Sequence, residues 1–134
     1  MALEPGLHGE FHFKVDERLS TDVAGTVTNP VLATPRMIGL MERASMMAVS
    51  DHLPEGATSV GFEVCVRHVA AAPTGAQCVA RSELTEVVDD RKLRFAVEVL
   101  HGERTIGIGT HERRVIHAAG FSDRNVSVAS TPES

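Results

Sequence analysis

Residues 34–52 read as one long helix without a clean polar face, and that property narrows the folds open to the chain. Thr34-Pro35 supplies a start signal, with Thr as N-cap and Pro at the first helical position, and Leu53-Pro54-Glu55-Gly56 supplies the stop. Between them Arg36, Arg43, Ser45, Ser50 and Asp51 are scattered around the helix rather than gathered on one side. A helix apolar on most sides has to be enclosed by other structure. The rest of the chain must therefore wrap it.

The remaining sequence is suited to that task. Thr58 to Ala70, Gln77 to Val88, Lys92 to Leu100 and Thr105 to His117 read as strands, separated by Pro73-Thr74-Gly75, Asp89-Asp90 and His101-Gly102. Connections this short imply antiparallel hairpins. Ahead of the helix, Phe11, Phe13, Val15 and Leu19 alternate with His12, Lys14, Asp16 and Arg18, the pattern of a half-buried strand. Ser20 to Ala33 has no clear period and reads as loop or a partly helical cover. The expected architecture is α+β, a five-stranded antiparallel sheet wrapped around one long central helix. The 134 residues suffice for one domain, expected over 7–121, after a flexible 1–6 and before a disordered tail from Ser122. Without Trp or Tyr and with five Phe, aliphatic and Met side chains must fill the core.

Charge and composition exclude several functions. A net charge of −5 gives the chain no electrostatic reason to bind nucleic acid or an anionic membrane. No apolar run approaches the roughly 20 residues needed to span a bilayer, and Met1-Ala2-Leu3-Glu4-Pro5 lacks the features of a signal peptide. Cys65 and Cys78 form no CxxC motif and are expected as reduced thiols, which points to the cytoplasm.

The chemistry-bearing residues emerge from the same pattern. Glu42 has Ile38, Gly39, Ser45 and Met46 three and four residues away, none able to neutralise a carboxylate. It either marks the solvent edge of the helix with Arg43 or is used. In Thr58 to Ala70 the even positions, Val60, Phe62, Val64, Val66 and His68, form the expected core face, so His68 points inward with the valines. A core histidine is the simpler reading of His68 alone. With Glu42 aimed at the same interior, a carboxylate and an imidazole can serve as base and acid. Gly61 interrupts the outer face of its strand and marks a bulge or a close backbone approach. Gly107 and Gly109 are not a dinucleotide fingerprint, since no helix follows them. The seven histidines show no i,i+4 helical pair and no CxxC companion, so no metal site is expected.

Together the element order and three stretches resemble the hotdog-fold acyl-CoA thioesterases, and most closely the fluoroacetyl-CoA thioesterase-like family. The stretches are Ala33-Thr34 through Gly39-Leu40-Met41-Glu42, Val64 to His68 with Ala71-Ala72-Pro73-Thr74-Gly75, and Gly107-Ile108-Gly109-Thr110-His111-Glu112-Arg113. The resemblance implies thioester hydrolysis of an acyl-CoA by Thr34, Glu42 and His68, without a cofactor beyond the CoA of the substrate. It implies a homodimer or tetramer whose sheets join, with sites between subunits. Glu42 would attack the carbonyl or activate water, His68 would handle protons, and Thr34 would orient them. Gly61 matches the position whose N–H holds the substrate carbonyl oxygen, and Arg113 the stretch associated with the CoA end.

Two features qualify the mapping. Eight residues of helix place Thr34 and Glu42 about 12 Å apart along its axis, so either the chain bends back near Thr34 or each site draws on two subunits. Ser20 to Ala33 also contains no aromatic residue, whereas fluoroacetyl-specific members carry phenylalanines there. A small or general acyl-CoA is therefore the expected substrate. The alternatives are a non-catalytic protein that binds an acyl-CoA or a small acyl ligand, and a hydratase on the same fold.

Overall fold

The computed structural model describes residues 2–21 and 29–117; the tail expected from Ser122 and the middle of the loop before the helix lie outside them. Strand β1 (His8–Lys14) is followed by a 3-10 turn (Glu17–Leu19), so the expected first strand ends earlier, at the Asp16 side chain that accepts from Leu19 N–H. The short pair β2 (Ser20–Thr21) and β3 (Val31–Leu32) precedes α1 (Thr34–Val49) and a second 3-10 turn (Ser50–His52). Then come β4 (Ala57–His68), β5 (Gln77–Val88), β6 (Lys92–His101) and β7 (Arg104–His117).

The five long strands form one antiparallel sheet in the order β1-β5-β6-β7-β4. It wraps α1 as the helix composition requires. Met37, Leu40, Met41, Ala44, Ala48 and Val49 on the helix are buried with Phe13, Leu84, Phe95, Val99 and Ile106 of the sheet. Gly9 makes the closest seam: a Cβ there would run into the Ala44 carbonyl and lie 2.7 Å from Ala48 N. The buried hydroxyls of Ser45 and Ser82 satisfy each other at 2.8 Å across the same interface. Among the described residues, no helix is long and apolar enough to cross a membrane. Cys65 and Cys78 are free thiols, as expected.

Helix α1 lies mainly over β1 and β5 and touches β4 little. Met37 and Met41 cover Gly107 of β7, so β4 is the strand left most open beside the helix. Strand β4 is also a sheet edge, and its register against β7 shifts between Gly61 and Glu63. This bulge corrects the expected core face of the strand. One extra residue reverses the alternation, so Ser59 and Gly61 face the helix before it and His68 does so after it. Val60 and Phe62, expected inside, are 39% and 60% exposed on the other face, where the Arg114 guanidinium lies 3.6 Å from the Phe62 ring centroid.

Candidate active site

Thr34 stands at the head of α1, but not as its cap. The N-cap is Ala33, with no side-chain cap, and Thr34 is the first helical residue. Its hydroxyl is used elsewhere: Oγ1 lies 2.7 Å from His68 Nδ1 on β4. The pair joins the start of the helix to the end of the edge strand. Burial pushes the His68 pKa below its ordinary 6.5, so the ring is neutral near pH 7. Its Nε2 is buried and, among the described residues, has no hydrogen-bond partner. A buried imidazole nitrogen left open in this way needs something to complete it.

Glu42 lies two turns further along the unbroken helix. Its side chain is 37% exposed, and its Oε2 is 4.0 Å from His111 Nε2 on β7. The floor beneath it is Gly61: a Cβ on that residue would sit 2.8 Å from Glu42 Oε2, 3.6 Å from His111 Cε1 and 3.8 Å from Arg113 Nη1. Three polar side chains therefore converge on one point that only glycine leaves vacant. The bulge sets this up, because it turns Gly61 toward the helix.

Arg113 is 4% exposed. Its Nε donates to Ser59 Oγ at 2.8 Å and its Nη2 to the Ser59 carbonyl at 2.9 Å. Burial disfavours its charge, and the Glu42 carboxylate opposes that effect. Its Nη1 and the Glu42 carboxylate both border the space above Gly61.

Around these groups an open cavity of about 560 Å³ is lined by Gly39, Glu42, Met46, Val60, Gly61 and Arg113. Among the described residues, no three or more of His, Cys, Asp and Glu gather into a metal-binding set. The five sequence-derived site residues fall into two separate groups. Thr34 and His68 form one, and Glu42, Gly61 and Arg113 the other. The chain does not bend back at Thr34, so helix geometry keeps the groups about 12 Å apart. His111 was missed by sequence reasoning: in a strand of mostly polar residues, nothing local marks it as buried.

The profile of the FlK family, described as fluoroacetyl-CoA-specific thioesterase, matches residues 15–119. The fluoroacetyl-CoA thioesterase of Streptantibioticus cattleyicolor is 42% identical over 92 residues, 69% of this chain and 66% of that protein, so the aligned part falls just short of two thirds of the relative. A solved structure of the fluoroacetyl-CoA thioesterase FlK superposes with a TM-score of 0.83 at 32% identity, over 98% of this chain and 100% of that one. A mutant of FlK solved with fluoroacetate and CoA gives 0.77 at 34% identity, over 89% and 99%. A hypothetical protein of Thermus thermophilus, a thioesterase superfamily member, gives 0.84 at 22% identity, over 94% and 93%, a likeness of fold.

Proposed function

The chain belongs to the fluoroacetyl-CoA-specific thioesterase family, and we propose that it is a hotdog-fold thioesterase hydrolysing small acyl-CoA thioesters at sites shared between two subunits. The observation that carries this reading is the seat of Glu42: a partly exposed carboxylate pressed against a glycine and faced by a buried arginine. A structural ion pair needs no glycine beside it. A reacting carboxylate does, because the substrate carbonyl must approach to about 3 Å.

In the proposed reaction the acyl carbonyl lies over Gly61, whose backbone N–H at the bulge stabilises the oxygen as it gains charge. Glu42 attacks the carbonyl carbon or takes a proton from the water that does. The C–S bond then breaks and CoA leaves as the thiolate; the proton released as water enters passes to the neutral ring of His68, held by Thr34, and from it to the sulfur. Water ultimately supplies the second oxygen of the acid. These steps are displacement and proton transfer, so the reaction calls for no metal or redox cofactor.

The split between the two groups supports a dimer. Strand β4 is a long sheet edge with Val60, Phe62 and Val64 exposed along it, whereas the opposite edge, β1, carries His8, Glu10, His12 and Lys14. Charged side chains protect an edge, and apolar ones invite pairing. Joining β4 of two copies continues the sheet and lets the partner subunit's Glu42 complete the open Nε2 of His68.

The test is release of free thiol across a panel of acyl-CoAs, from acetyl and fluoroacetyl to long-chain and aryl. Hydrolysis with Glu42→Gln inactive but folded is expected. Thermal stabilisation by acyl-CoA without thiol release would instead mark a binding protein, and addition of water to an enoyl-CoA would mark a hydratase.

A further inference from the structure

His111 and Arg113 occupy alternate positions of β7, so both side chains emerge on the helix-facing side. His111 is 3% exposed. Its Nδ1 lies 2.8 Å from the Glu63 carbonyl oxygen at the β4 bulge. A carbonyl can only accept, so Nδ1 carries the hydrogen and Nε2 presents a lone pair. Arg113 Nη1 donates to that lone pair at 3.3 Å. Phe95 of β6 stacks against the ring, with centroids 6.0 Å apart.

The charged groups facing His111 are Glu42 from α1 and Arg113 from its own strand; β4 contributes the Glu63 carbonyl and β6 the Phe95 ring. Burial and Arg113 both hold the imidazole neutral, against the pull of the Glu63 carbonyl and of Glu42. The 4.0 Å approach of His111 to Glu42 is therefore not an ion pair. The cation whose charge acts on Glu42, through space and not as a direct ion pair, is Arg113, whose position is fixed at Ser59 on one side and His111 on the other.

We propose that His111 is a positioning residue for the thioesterase reaction. Anchored to the bulge through Nδ1–H, it accepts from Arg113 and aims the guanidinium at the carboxylate of Glu42 and the carbonyl above Gly61. This role rests on the reading of Glu42 as the reacting carboxylate. The bulge, the imidazole and the arginine form one unit that links the Gly61 seat to the charge beside it.

Two amide substitutions separate the two ring nitrogens. His111→Asn keeps a donor for Glu63 and offers Arg113 nothing, while the amide oxygen of His111→Gln reaches toward the position of Nε2. His111→Asn is expected to lower kcat about tenfold or more with KM within about twofold, and His111→Gln to restore most of the loss. Melting temperatures should not follow that order, since Asn retains the bond to the bulge. Should His111→Asn not fold, His111→Ala and Arg113→Lys test the same link: each should lower kcat, and combined they should lower it little more than the larger single loss, whereas fully additive losses would overturn the proposal. Parental kcat in His111→Asn, or losses that simply track melting temperature, would overturn the proposal. An active Glu42→Gln enzyme would instead overturn the assignment of Glu42, so the two failures are distinct.

Discussion

A methyl group placed on Gly61 would come within 2.8 Å of Glu42 Oε2, and the atom it meets is the free end of a flexible side chain. The carboxylate can swing away at little cost to the fold. Gly61→Ala is therefore expected to lower kcat by about tenfold or more while leaving the melting temperature within about 2 °C. Equal losses of activity and stability would show that Gly61 serves packing alone. Thr34 is a second residue whose use differs from its first reading. Thr before Pro at a helix start predicts a cap, yet Ala33 takes that position and the hydroxyl bonds His68. Glu42 and His68 were legible as inward-facing groups, because a carboxylate in an apolar helix and a histidine among valines both break a pattern. His111 breaks none, and its burial arises only when β4 and β6 flank it.

The elements themselves follow closely from alternation and turn residues. The four long strands after the helix begin and end within two residues of the expected limits, because Pro73-Thr74-Gly75, Asp89-Asp90 and His101-Gly102 leave little choice. Positive φ at Asp89, Asp90, Gly75 and Gly102 shows those turns in place. What alternation could not show is the bulge in β4. Val60, Phe62, Val64 and Val66 keep a period of two on paper, while the register against β7 slips between Gly61 and Glu63. The side chains sent outward by that slip make the edge apolar. Replacing Val60 and Phe62 together by Lys should yield a folded monomer on gel filtration with little or no hydrolysis. A variant that stays dimeric would place the subunit contact elsewhere.

At the scale of the whole molecule, buried His111 and part-buried His68 make stability depend on pH. Burial holds the pKa values of His68 and His111 below the ordinary 6.5 that each has in the unfolded chain. The unfolded chain therefore binds more protons below about pH 6.5, and the folded state loses stability as pH falls through the depressed values. The melting temperature should be level above about pH 6.5 and decline below it, less steeply in His111→Gln. The larger claim concerns assembly, since Thr34 with His68 and Glu42 with Gly61 occupy separate places in one protomer. Mixing Glu42→Gln and His68→Ala subunits tests it directly. Each variant alone should be inactive, but a mixed dimer with sites built across the interface has one site carrying neither change. Unfolding and reassembling equal amounts should then recover about a quarter of the parental rate of CoA release, because half the dimers are mixed and each holds one intact site. A mixture as inactive as its components, with mixed dimers demonstrably formed, would contradict the shared site.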